Sequence, residues 1–191
     1  MVKIISLSAE TAKPYFDQMV DIYQSAFTVP PYSDDLGDVL TFSGRLPYHA
    51  RWKGFRCVAA IDQAVEPFPL VGFAYGFTSQ PDNWWRELVS EKMSRAMVQD
   101  WLEDCFEFVE LAITPAYQRR QIGGGLHDAL LAGLNYRTAV LSTLQEETNA
   151  LHLYRKRGWI NLLENFKFPG IERTYLIMGL RLIQDLDWQG K

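Results

Sequence analysis

The 191 residues carry a formal net charge of -4, are 48% apolar and 14% aromatic, and include two cysteines and three histidines. A chain of this kind can bury a substantial core without disulfides or a structural metal, and its acidic balance excludes a general phosphate-backbone binder, which needs clustered Lys and Arg, so no nucleic-acid partner is expected. The apolar run at 70–77 is broken by Gly72 and Gly76 and falls well short of the ~20 residues of a membrane span, while the N-terminal stretch is too weakly apolar for a signal peptide and carries Glu10 where a cleavage region would come, so a cytoplasmic protein without a membrane partner is expected.

Residues 2–7 are short and β-branched and predict a first strand. Phe16, Met19, Val20, Tyr23, Ala26 and Phe27 recur at helical spacing behind Thr11 as a cap, and Pro30 and Pro31 stop that helix. A loop at 32–38 holds Asp34, Asp35 and Asp38, and a second helix is expected over 39–49 with a distortion before Pro47. Residues 55–61 and 70–77 read as an antiparallel hairpin joined across Pro67 and Pro69, with Gly72 and Gly76 marking bulges or close approaches. Between 81 and 102, Trp84, Trp85, Leu88, Met93, Met97 and Trp101 suggest an inserted helical region. A strand over 105–114 leads through a short loop into a helix over 122–134, where Ile122, Leu126, Leu130 and Leu134 lie four apart. A strand at 138–144, a helix at 147–157 closed by Gly158, and strands at 159–168 and 174–183 follow.

No linker rich in proline, serine or charge divides the chain, so a single domain over 1–191 is expected. The element order argues an α+β fold, with a mixed, mostly antiparallel sheet of about six or seven strands and helices on both faces. Cys57 and Cys105 fall in apolar strand-like segments and are expected to be buried free thiols. His49, His127 and His152 are scattered without zinc-site spacing, so no metal is expected.

The most informative segment runs from Glu110 to Leu126, ELAITPAYQRRQIGGGL. A strand, a short loop and a helix start in this order can aim loop N–H groups, the unpaired N–H groups of the first helical turn and the positive dipole end at one point, which is an anion cradle. Gly123, Gly124 and Gly125 remove Cβ atoms that would hold a pyrophosphate off the backbone, and Arg119 and Arg120 add positive charge. The competing explanation is a turn that uses glycine only for backbone freedom. Neither a Gly-Lys-Ser/Thr phosphate loop nor an opening βαβ dinucleotide unit is present.

At these residues the chain resembles the GNAT superfamily of N-acetyltransferases, whose signature here is Gln or Arg, two residues, Gly, one residue, and Gly or Ala. Counted from Pro115, Gln118 takes the first position and Gly123 the last, with Gln121 where the first glycine is usual; Arg120, Gly123 and Gly125 satisfy the pattern two residues on. A second stretch is similar to the family's Asn-x-x-Ala-x-x-Leu-Tyr helix ending in Gly-Phe or Gly-Trp: Ala150, Leu153, Tyr154, Gly158 and Trp159 match, Glu147 stands at the Asn position, and Asn149 lies two residues later. By themselves, Asn149 reads as a helix N-terminal residue and Tyr154 as a helix-face aromatic packed on the sheet.

The resemblance implies a GNAT-type fold and acetyl-CoA as co-substrate, held by Leu111, Ala112, Ile113, Gln118, Arg119, Arg120, Gln121, Ile122, Gly123, Gly124, Gly125, Asn149 and Tyr154. It further implies that the pantetheine arm lies along 110–114, that a backbone N–H near 111–113 polarises the acetyl carbonyl, and that Tyr154 protonates the departing sulfur. Thioester aminolysis also needs a base for the amine, for which Glu107 and Glu110 are candidates. Alternation along a strand puts them on opposite faces; Glu110 is favoured, against the alternative of an ion-paired strand residue. Tyr32, Asp34, Asp35, Trp84, Trp85 and Glu107 combine aromatic faces with carboxylates and suit a cationic acceptor, although solvated acids and core tryptophans explain them as well. The expected reaction is direct attack by a primary amine, small-molecule or peptide, with an aminoglycoside-like or other small cationic amine as one class. The rival reading is a non-catalytic acetyl-CoA sensor or scaffold. A homodimer through the last strands, with Trp159, Phe166 and Phe168 as apolar surface, stands beside plain core packing of the same residues.

Overall fold

The computed structural model describes residues 1–32 and 34–182. Strand β1 (Val2–Leu7) ends at Ser8, which caps the chain's first helical turn reciprocally: its hydroxyl accepts the Thr11 N–H at 3.2 Å, and the Thr11 hydroxyl accepts the Ser8 N–H at 2.8 Å. The expected cap Thr11 is therefore the third residue of a short α1 (Ala9–Ala12), and a 3-10 turn at Lys13–Tyr15 separates it from α2 (Phe16–Phe27). Helix α3 (Leu36–His49) begins earlier than the hydrophobic spacing indicates, because the Asp35 carboxylate accepts the Gly37 and Asp38 N–H groups at 2.6 and 3.0 Å. Asp35 is thus a cap, and Pro47 sits inside the helix near its end.

The chain falls into two compact units, Met1–Thr78 with Val109–Ala132, and Ser79–Phe108 with the chain from Gly133 onward. In the first, β1, β2 (Arg56–Asp62) and β3 (Leu70–Thr78) form an antiparallel meander whose register shifts at Ala60/Ile61, opposite the stretch from Gly72 to Leu70. Gly72 is a close approach as well as part of this irregularity, since a Cβ there would lie 3.1 Å from the Ala112 carbonyl oxygen and 3.3 Å from Leu126. Phe73, Tyr75 and Phe77 point the other way and join the core built by α2 and α3, where Tyr23 stacks on Phe42 with centroids 4.2 Å apart. Helices consequently cover both faces of this meander: α2 and α3 on one, α6 (Ile122–Leu131) on the other. Phe42, Phe73 and Phe77 are fully buried, each worth roughly 1.5–3 kcal/mol of transfer free energy.

In the second unit the inserted region forms α4 (Trp84–Ser90) and α5 (Arg95–Trp101), the latter capped by Ser94. Strands β5 (Thr138–Leu144), β6 (Ile160–Phe166) and β7 (Tyr175–Arg181) pair antiparallel in the order β5-β7-β6, with α7 (Asn149–Lys156) between β5 and β6 in sequence. Of the strand expected at 174–183, Ile183 lies outside the described residues. Gly179 on β7 is dictated by packing, because a Cβ would come within 2.7 Å of the Trp101 ring. Trp159, Phe166 and Phe168 are only 3–6% exposed. That corrects their reading as a dimerisation surface: Phe166 and Phe168 pack edge to face at 4.9 Å, and Trp159 packs on Tyr154.

Strand β4 (Cys105–Ile113) passes through both units, residues 105–108 in the second and 109–113 in the first. The strand order is β1-β2-β3-β4-β5-β7-β6, a mostly antiparallel seven-stranded arrangement in which β4 and β5 run parallel over Cys105–Glu107 and Thr138–Val140. Cys57 and Cys105 are buried and free, and burial pushes both thiols up to about 12. Among the described residues, no helix is long and apolar enough to cross a membrane.

Candidate functional site

In the first unit, β4 ends in a loop pinned at both sides. The Gln118 side chain donates to the Ile113 carbonyl at 3.1 Å, and the Tyr117 hydroxyl donates to Asp62 at 3.0 Å. Two non-glycine residues then take left-handed backbone, Arg119 with φ 58° and Gln121 with φ 65°. Gln121 is the position at which the resemblance calls for glycine, and it adopts the glycine-type conformation at a cost of ~1–2 kcal/mol. Left-handed residues turn successive N–H groups toward one point.

The helix that follows, α6, has no side-chain cap, whereas α1, α3, α5 and α7 are capped by Ser8, Asp35, Ser94 and Thr148. Like α2 and α4 it leaves its first-turn N–H groups without a side-chain cap, and a helix end of this kind can hold an anion. Arg119 and Arg120 are exposed beside it, the Arg120 guanidinium 5.1 Å over the Tyr117 ring. Within the predicted glycine run, Gly125 has a packing reason, since a Cβ there would meet Ile4 at 2.6 Å. Ile122 is buried, as is Ala112, while Leu111 and Ile113 are half-buried.

Glu110 lies in the same unit, 14% exposed, with the Arg45 guanidinium of α3 at 3.8 Å, an ion-pair distance beyond hydrogen-bond reach. Burial raises its carboxyl to about 7, against the lowering effect of Arg45 and the Leu111 N–H. The Tyr75 hydroxyl interacts with Arg45 and lies 3.1 Å from His49 Nδ1. Burial, and then the charge of Arg45, hold His49 down at about 4, so it is neutral at pH 7. Asp34, from the predicted acceptor loop, accepts the Tyr23 hydroxyl at 2.7 Å, and burial together with Glu110 and Asp34 holds that phenol protonated. Tyr32 packs edge-on against Phe27 at 4.7 Å.

Sequence reasoning missed Arg45, His49, Tyr75 and Tyr23. The available signal was an Arg and a His four apart on the helix face that also carries Phe42 and Leu46, polar groups where the spacing calls for apolar ones.

In the second unit, Tyr154 is 6% exposed and packs edge-on against Phe108 at 6.1 Å and Trp159 at 5.8 Å. Asn149 is the exposed first residue of α7, whose cap is Thr148, accepting the Leu151 N–H at 3.1 Å; Glu147, at the usual Asn position, pairs with Arg155 at 2.6 Å. Glu107 is 5% exposed and accepts from the Asn83 amide at 2.7 Å and the Ser79 hydroxyl at 3.5 Å, while Arg86 donates to the Ser79 carbonyl. Trp84 and Trp85 diverge: Trp84 is 57% exposed and stacks on Phe168, whereas Trp85 is buried and donates to the Ser142 hydroxyl at 3.3 Å.

Residues 16–159 match the model of the acetyltransferase (GNAT) family. A GCN5-like protein acetyltransferase of Mycobacterium tuberculosis is 29% identical over 160 residues, covering 70% of this chain and 78% of that one. Solved structures share the fold, among them the following two. The ribosomal-protein-S18-alanine N-acetyltransferase from Escherichia coli has a TM-score of 0.61 at 16% identity, with 96% of each chain covered. Arabidopsis thaliana NAA60, in complex with a bisubstrate analogue, has a TM-score of 0.65 at 12% identity, covering 95% of this chain and 99% of that one.

Proposed function

The chain belongs to the acetyltransferase (GNAT) family and is an N-acetyltransferase, and we propose that it moves the acetyl group of acetyl-CoA to a primary amine by direct attack. The observation that carries this reading is the uncapped start of α6 behind two left-handed residues, an anion site made of backbone N–H groups with Arg119 and Arg120 beside it. Residues 118–124 hold the pyrophosphate there, the backbone of 111–113 lies along the pantetheine arm, and one of its N–H groups polarises the thioester carbonyl. Asn149, exposed at the start of α7, is a further coenzyme contact in this reading.

Acetyl-CoA supplies the acetyl group as a thioester. The amine nitrogen attacks the carbonyl carbon, the C–N bond forms and the C–S bond breaks. Glu110 takes the proton from the amine, a role that a carboxyl near 7 suits at neutral pH, and Tyr154 gives its phenolic proton to the departing sulfur. Tyr32, Asp34 and the exposed Trp84 are the acceptor contacts, and their aromatic and acidic character supports a small cationic amine. Glu107, with two side-chain hydrogen bonds already made, anchors α4 to β4 in this reading rather than meeting the acceptor. The Mycobacterium tuberculosis relative is named a protein acetyltransferase, so a lysine peptide belongs in the acceptor panel.

The test is a thermal melt with acetyl-CoA, using NADH and ATP as controls, followed by thiol release with the amine panel. At a hundredfold excess over Kd the midpoint should rise by roughly 5–10 °C with acetyl-CoA alone. No shift at millimolar ligand overturns the coenzyme site. A shift without thiol release for any amine would make the protein a coenzyme-binding sensor.

A further inference from the structure

Resting on the reading of Glu110 as the base, we propose that Arg45 and Glu110 form a dipolar acceptor site, and that the amine acetylated carries a carboxylate on the same or a neighbouring carbon. Four groups surround the pair: Tyr23 of α2, Asp34 of the following loop, His49 of α3 and Tyr75 of β3. Asp34 is engaged by the Tyr23 hydroxyl and His49 is neutral, so Arg45 is the positive charge of this cluster. Its side chain as a whole is 40% exposed, and its guanidinium lies over the Phe42 ring at 5.9 Å.

The guanidinium is also incompletely partnered. Its Nε–H is the buried side-chain polar group that lacks a hydrogen-bond partner among the described residues, and its Nη2 stops 3.8 Å from Glu110. A buried donor without an acceptor is costly and rare in a finished network. Nε and the adjacent Nη form one planar edge, which a carboxylate satisfies with two parallel hydrogen bonds after a small side-chain shift. An ammonium coming to Glu110 without its own anion would meet a fixed cation at the same point, and like charges at this distance repel strongly in a partly buried setting.

Spacing narrows the ligand. Standard bond lengths put the amine nitrogen of an α-amino acid roughly 3 Å from its carboxylate oxygens, and a β-amino acid somewhat farther, which matches the 3.8 Å between the two protein groups. The small cationic amine becomes one whose cation is balanced by its own carboxylate, and the specificity-determining residue is Arg45.

The experiment compares thiol release by wild-type protein, Arg45→Met and Arg45→Lys for α- and β-amino acids, their carboxamides, and polyamines. The proposal expects kcat/KM for the amino acids to exceed that of the carboxamides by about tenfold or more, a ratio that collapses in Arg45→Met and is partly kept in Arg45→Lys. The midpoint shift with acetyl-CoA should be the same in all three proteins. Equal or better turnover of the carboxamides overturns the proposal, as does a ratio unchanged in Arg45→Met; the wild-type ratio decides the matter even if that variant fails to fold. Turnover confined to polyamines overturns the dipolar site while leaving amine acetylation intact. A coenzyme shift with no turnover of any amine overturns both.

Discussion

Two glutamates three positions apart on β4 meet opposite fates. Glu107 is nearly sealed, and its Oε2 accepts a short hydrogen bond from the Asn83 amide at 2.7 Å and a longer one from the Ser79 hydroxyl at 3.5 Å. Glu110 has the Arg45 guanidinium at 3.8 Å, and burial raises its carboxyl to about 7. Sequence alternation separates the two, but identical side chains meet different electrostatic surroundings through the distance of their donors, and the proposed base role falls to the one whose carboxyl is raised. A saturated carboxylate holds structure; an undersaturated one is available for proton transfer.

The largest effect is expected at Glu110. Glu110→Gln should lower kcat/KM by about 10²–10⁴-fold and erase the acidic limb of the pH profile, along which wild-type activity falls as pH drops through about 7. Stability should move in the opposite sense. The folded carboxyl titrates near 7 rather than at 4.5, so Glu110 supports the fold below 4.5, and that support is lost as pH rises through 7, about 3 kcal/mol in all. Urea titrations at a series of pH values should show this slope in wild type and not in Glu110→Gln. A residual acidic limb in the variant would move the base role elsewhere, with Glu107 the first candidate.

A smaller effect is expected on the other side of the contrast. Asn83→Leu leaves Glu107 without its shortest bond and should cost about 1–3 kcal/mol, lowering the melting midpoint by roughly 2–10 °C, with kcat/KM at low temperature changed less than threefold. A collapse of activity in the folded variant would give Glu107 a chemical role and undo the contrast. The smallest effect belongs to Gln121→Gly, which removes left-handed strain but adds unfolded-chain entropy. The net should be a stabilisation of no more than about 1 kcal/mol with the acetyl-CoA shift retained, read in the same melts. Destabilisation would mean the Gln121 side chain holds the loop.

Much of the fold was legible from spacing. β1 and β5 appear at the predicted residues, the hairpin of β2 and β3 forms, and α6 starts at Ile122. Departures sit at helix ends, where a side chain rather than periodicity decides the boundary: Ser8 and Asp35 each start a helix earlier than the apolar pattern shows. The loop and the start of α6, which the proposed cradle uses, were legible because they are contiguous in sequence. The surroundings of Glu110 were not, because Arg45 is 65 positions away and arrives only when α3 packs over β3 and β4.

Local backbone structure was therefore decided along the chain: where strands alternate, where helices begin, and where a glycine-rich loop leads into a helix. Long-range contact decided the electrostatics. Whether a carboxyl is stabilised as a charge, held near neutrality or merely solvated depends on desolvation and on donors a few ångströms away, and these are set by which helix face covers which strand. Gly125 and Gly179 show the same division within one residue type: glycine is visible in the sequence, but its reason, Ile4 for one and Trp101 for the other, exists only after packing.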